Sequence, residues 1–93
     1  MASLHIEHAV TDFASWKEAY DAFADSRERA GVSSERVRRP VGQPNQVMID
    51  LDFDSVGPAK GFLEFLETQV WPSGSHMSGG TRAVILADLD ESP

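Results

Sequence analysis

The sequence predicts an α+β sandwich, a four-stranded antiparallel sheet with two helices on one face. Three observations point there. Leu4 to Val10 and Val47 to Phe53 alternate with period two, as half-buried strands do. Each run leads into a helix start followed by an apolar stripe of helical spacing. A last apolar run, Ala83-Val-Ile-Leu-Ala87, supplies a closing strand.

In the first strand, Leu4, Ile6, His8 and Val10 share one face, and His5, Glu7 and Ala9 the other. Asp12 is placed to cap a helix, because its carboxylate can accept from the free amides of the first turn. Phe13, Trp16, Tyr20, Phe23 and Arg27 follow at spacings of 3, 4, 3 and 4, one helical stripe. Gly31 stands where a left-handed C-terminal cap is expected. Val37 and Val41 flank Arg36, Arg38 and Arg39, with Pro40 suited to an edge strand. Gly42-Gln-Pro-Asn45 is a turn. Val47, Ile49, Leu51 and Phe53 form the next strand face.

Asp54 or Ser55 caps a second helix, and Pro58 fits its first turn, where no intrahelical donor is needed. Ala59, Phe62, Leu63, Leu66 and Val70 make its apolar face, and Trp71-Pro72 ends it. Ser73 to Gly80 reads as a loop and Arg82 to Leu89 as the last strand. The order is βαββαβ. Short connections and right-handed crossovers make it a ferredoxin-like sandwich with strand order 4-1-3-2. One sheet face is left without helices, and a second copy of the chain would cover it.

The 93 residues allow one domain, 1–93, with a modest core, a size at which oligomerisation is a common remedy. Fifteen acidic against eight basic residues give a net charge of −7, which argues against nucleic acid and anionic membranes as partners. There is no cysteine, so disulfides, zinc–thiolate sites, iron–sulfur clusters and thiol nucleophiles are excluded. No apolar run approaches the roughly 18 to 20 residues of a membrane span, and residues 1–12 lack the order of a signal peptide. A cytoplasmic homodimer is the expectation.

The pattern His8-x-Val10-x-Asp12-Phe13-x-x-Trp16-Lys17, then Arg27-x-x-Ala30-Gly31-Val32, Arg39-Pro-Val41, Asn45-x-Val47 and Leu51-x-Phe53 resembles short bacterial proteins of the dimeric α+β barrel superfamily. Its members are often labelled antibiotic-biosynthesis-monooxygenase-like or as cyclases. The resemblance spans roughly residues 4–89. It implies dimers that pair their open sheet faces, and small ligands seated between sheet and helices. The superfamily includes cofactor-free oxygenases, haem-degrading enzymes, lactone isomerases and ligand-sensing modules, so it does not fix an activity.

Among candidate site residues, His8 lies on the strand face that points toward the helices and can serve as a general base near neutral pH, or can be a satisfied core histidine. Trp16 and Tyr20 are core aromatics that could also line a pocket for a flat ligand. Arg27 lies on the apolar stripe. It either snorkels past the helix end or anchors a carboxylate or phenolate. Trp71 and His76 flank a Gly-Ser loop able to lid a pocket. Haem-degrading relatives use a histidine after the second helix, an asparagine on the first strand and a tryptophan within the helix. This chain offers only His76 of the three. Gly74-Ser-His-Met77 also matches the remnant of common tag-cleavage sites, which lowers the weight of His76.

His5, Glu7, Asp50 and Asp52 share the helix-free face and raise the question of a divalent metal, but cross-strand pairing with Arg36 and Arg38 competes for the carboxylates. No metal and no cofactor is expected. Phosphate-binding Gly loops, Gly-x-Ser-x-Gly and His-Glu-x-x-His are absent from the sequence. The reading that results is a small homodimer binding a flat organic ligand. His8 would be the acid/base group of a cofactor-free monooxygenase, cyclase or isomerase acting on a polyketide-like or phenolic compound. Trp16, Tyr20, Arg27, Trp71 and His76 would contact the ligand. A non-enzymatic binding or sensing module, or a purely structural dimer with a filled interior, are the alternatives.

Overall fold

A computed structural model describes residues 1–73 and 77–88, with side chains for 1–72 and 81–88. Strand β1 (Ala2–Val10) leads into helices α1 (Phe13–Ala22) and α2 (Ala24–Ala30). Strands β2 (Ser34–Arg38) and β3 (Gln46–Phe53) follow, then helix α3 (Val56–Phe65). The chain continues from α3 through a π-helical turn at Leu66–Val70 and a 3-10 turn at Trp71–Ser73 into β4 (Met77–Ala87). The sheet order is β2-β3-β1-β4, and every neighbouring pair is antiparallel. This is the expected α+β, ferredoxin-like arrangement.

Alternation in sequence becomes alternation in burial. Ala2, Leu4, Ile6, His8 and Val10 of β1 are buried, as are Val47, Ile49, Leu51 and Phe53 of β3. The register sets Leu4 opposite Leu51, Ile6 opposite Ile49 and His8 opposite Val47, so the two strands present one continuous face. Trp16 of α1 and Ala59 and Phe62 of α3 close over it. Leu51 is almost wholly enclosed, and truncating such a leucine to alanine costs about 2–5 kcal/mol.

The helix ends are fixed by local chemistry. Asp12 accepts from the Ser15 amide at 3.0 Å and the Ser15 hydroxyl at 2.8 Å, and these bonds hold its carboxyl below the usual range. Gly31 ends α2 at φ +99°, a left-handed conformation in which an L side chain is strained. Ser55 occupies the cap position of α3, but its hydroxyl makes no capping bond.

Four local expectations need correcting. The first predicted helix is two helices, broken at Phe23, whose amide turns back to the Tyr20 carbonyl at 3.2 Å. Side-chain periodicity misses the break because the stripe runs through it to a buried Arg27. Helix α3 does not simply stop at Trp71-Pro72 but widens first, and the Trp71 amide bonds the Leu66 carbonyl five residues back. Residues 77–80, read as loop, open β4, because backbone pairing with β1 needs no alternation of side chains. Pro40 and Val41 lie outside β2, and Val41 is fully exposed.

On the helix-free face the polar residues pair across strands. The His5 ring bonds Asp50 Oδ1 through Nδ1 at 2.7 Å and Glu7 Oε2 through Nε2 at 2.9 Å. Arg38 donates to Asp50 Oδ2 at 2.8 Å, and Ser3 and Ser34 each donate to Asp52 at 2.6 Å. Val84 and Leu86 of the edge strand β4 are exposed. Opposite these residues in register stand His5 and Ser3.

Candidate ligand cavity

The helices do not fill the space above the sheet. A cavity of about 270 Å³ remains, slightly under the roughly 300 Å³ at which ligand pockets commonly begin. Its floor is Ile6 and His8 of β1 with Ile49 and Leu51 of β3. One wall is Trp16, Ala19, Tyr20, Phe23 and Arg27 from α1, the break and α2. The other is Phe62 and Phe65 of α3 with Leu66 and Val70 from the wide turn and Trp71 from the 3-10 turn after it.

His8 reaches the floor because β1 alternates, and it is buried with the apolar residues of its face. Two indoles stand edge-on to it. The Trp16 ring centroid is 5.6 Å away at 73°, and that of Trp71 is 6.5 Å away at 84°. The β1–β4 register shifts between His8 and Val10, an irregularity of the kind that re-aims side chains beside functional sites.

At the other pole the rings of Trp16 and Tyr20 stack at 5.0 Å, and the Arg27 guanidinium lies over Tyr20, 3.6 Å from the ring centre. Arg27 does not snorkel. It is buried, donates through Nε to Glu35 Oε2 at 2.8 Å and through Nη2 to Glu35 Oε1 at 3.3 Å, and donates through Nη1 to the Tyr20 carbonyl. The Tyr20 hydroxyl is shielded from solvent and makes no well-formed hydrogen bond among the described residues, though the Glu35 carboxylate is near enough to interact with it. Burial pushes its phenol up, Arg27 opposes this, and the nearby Glu35 carboxylate adds to the rise. The group therefore keeps its proton at neutral pH and remains a donor.

Five of the six sequence-predicted site residues, His8, Trp16, Tyr20, Arg27 and Trp71, line this one cavity. His76 lies outside the described residues. Sequence reasoning missed Phe65 and Glu35. Glu35 pairs in register with Leu51, which puts an acid on the helix-covered side near Arg27, and only that register reveals it. The carboxylates weighed as metal ligands are instead engaged by His5, Arg38, Ser3 and Ser34. Burial alone would raise Asp50, but bonds from His5 and Arg38 outweigh it and hold the carboxyl low. No group of three or more histidine or carboxylate side chains is arranged to hold a metal among the described residues.

Fold and cavity together define the class: a ferredoxin-like α+β domain with an aromatic chamber beneath its helices. Solved structures share the fold of this domain. One is described as a "Putative antibiotic biosynthesis monooxygenase from Nitrosomonas europaea", with a TM-score of 0.72 and 16% identity, covering 96% of this chain and 99% of that one. Another is a dimeric ferredoxin-like protein from an uncultured marine organism, with a TM-score of 0.64 and 7% identity, covering 100% of this chain and 99% of that one. No family model matches the sequence, and no curated protein does. The likeness at these identities is one of fold, the ferredoxin-like α+β sandwich.

Proposed function

We propose that the protein binds a flat, largely apolar organic molecule in this chamber and acts on it without a cofactor, as a monooxygenase, cyclase or isomerase of a polyketide-like or phenolic compound. The observation that carries the reading is His8, a titratable ring set among apolar and aromatic walls and bracketed by Trp16 and Trp71. Removal of a proton from a phenol or an activated carbon is a step common to these reactions, and imidazole suits it near neutral pH. Trp16, Tyr20 and Trp71 supply faces and edges for a ring, and a volume near 270 Å³ suits a ligand of one or two rings. A purely structural dimer would have its interior filled, and here a chamber is left open. The name carried by the Nitrosomonas europaea protein leans the same way.

In this reading two copies meet through their helix-free faces, with Val84 and Leu86 among the surfaces covered, and the dimeric state of the marine protein supports a dimer. The cysteine-free composition is in keeping with a cytoplasmic setting. The test is turnover of a panel of phenols and polyketide-like aromatic compounds by wild type and His8→Ala. A fall of about 10²–10⁴-fold in kcat with binding retained is the expected result. Binding without turnover in both proteins would make the chain a ligand-sensing module instead.

A further inference from the structure

The two poles of the chamber differ in chemistry, and the difference bears on ligand charge. At the Arg27 pole a buried cation is already matched: Glu35 takes two of its N–H groups and the Tyr20 carbonyl takes a third. A guanidinium has five N–H donors, so two remain without a hydrogen bond among the described residues. The Tyr20 hydroxyl is a further donor in the same condition. The pole is thus rich in donors and balanced in charge.

We infer that this pole selects ligands by charge, accepting a neutral aromatic molecule with a carbonyl-type acceptor oxygen and rejecting the corresponding carboxylate. The inference rests on the ligand-binding reading above and adds which polar group the ligand carries. A neutral carbonyl oxygen accepts from the unused donors and leaves the Arg27–Glu35 pair intact. A ligand carboxylate would have to share Arg27 with Glu35, placing two negative charges on one buried cation with apolar walls around them. The protein's net charge of −7 opposes anion entry in the same direction. Selection of this kind works by repulsion of the wrong ligand as much as by attraction of the right one.

The experiment compares three probes of one shape class: naphthalene, 2-acetylnaphthalene and 2-naphthoate, titrated against wild type by calorimetry at pH 7. 2-Acetylnaphthalene should bind at least about tenfold more tightly than 2-naphthoate. In Glu35→Gln, where Arg27 loses its counter-charge, the order should narrow or reverse. In Tyr20→Phe, which deletes one of the unused donors, the ketone's advantage over naphthalene should shrink, and an unchanged advantage would count against the hydroxyl as a contact. Circular dichroism checks that Glu35→Gln folds. Should it not, the wild-type contrast together with Tyr20→Phe decides. Equal or tighter binding of 2-naphthoate by wild type overturns the inference while leaving the chamber a ligand site. Failure of all three probes to bind overturns both readings.

Discussion

The Arg27–Glu35 pair makes an asymmetric prediction about stability. The two side chains are bonded to each other, yet one is 6% exposed and the other 40%. Glu35→Ala leaves a guanidinium stranded in the interior, and removing one member of a buried pair costs about 3–5 kcal/mol. Glu35 sits partly in water, so the lower end, about 3 kcal/mol, is appropriate. Arg27→Met keeps the apolar stem over Tyr20 and deletes the charge. The Glu35 carboxylate then rehydrates, and what is lost is the ring contact and the hydrogen bonds, about 1–2 kcal/mol net. Urea unfolding at one fixed protein concentration measures both, since stability falls linearly with denaturant. The double variant should cost less than Glu35→Ala alone, because it removes the stranded charge. If Arg27→Met costs as much as Glu35→Ala, or the double variant costs the sum of the two, then the guanidinium is not confined as described.

Other consequences can be measured independently. The bonds to Asp50 and Glu7 raise the His5 pKa, so its contribution to stability is complete below the unfolded value of about 6.5 and is lost as pH rises through the folded value. Unfolding midpoints taken from about pH 6 to about pH 9 should therefore fall in wild type more than in His5→Gln; parallel profiles would contradict the paired geometry. Gly31→Ala should lower stability by about 1–2 kcal/mol through its left-handed backbone, read from the urea midpoint. Trp16→Ala should cost about 3–5 kcal/mol, as its indole is packed against His8, Phe13 and Tyr20, and should also abolish binding of naphthalene.

The positions of β1 and β3 and the helix-covered face were legible in the sequence because alternation is a direct record of a two-sided sheet, and strand order followed from short, right-handed connections. Leu4, Ile6, His8 and Val10 could only be buried together or exposed together. The site was legible to the extent that it reuses those patterns: His8 breaks an apolar strand face, and Arg27 breaks an apolar helix stripe. The break at Phe23 and the wide turn at Leu66–Val70 were not legible, since both are backbone events beneath a helical stripe whose spacing continues through them. Glu35 was missed for a different reason. Its meaning depends on β2 pairing with β3 in one register, and a five-residue edge strand carries too little alternation to show it.

The wide turn also says something about how this chain can change length. Ordinary α winding advances about 100° per residue, so five residues beyond Leu66 would leave Trp71 about 140° away, whereas four would leave it about 40° away. Deleting one residue between Leu66 and Val70 would thus return the helix to regular winding with Trp71 still on the His8 side. A substitution that merely tightened the coil at constant length would swing the indole off the chamber. The segment is one extra residue absorbed without displacing what lies on either side. In a protein of this fold it is where shortening by a single position would be tolerated, while lengthening would unseat the tryptophan.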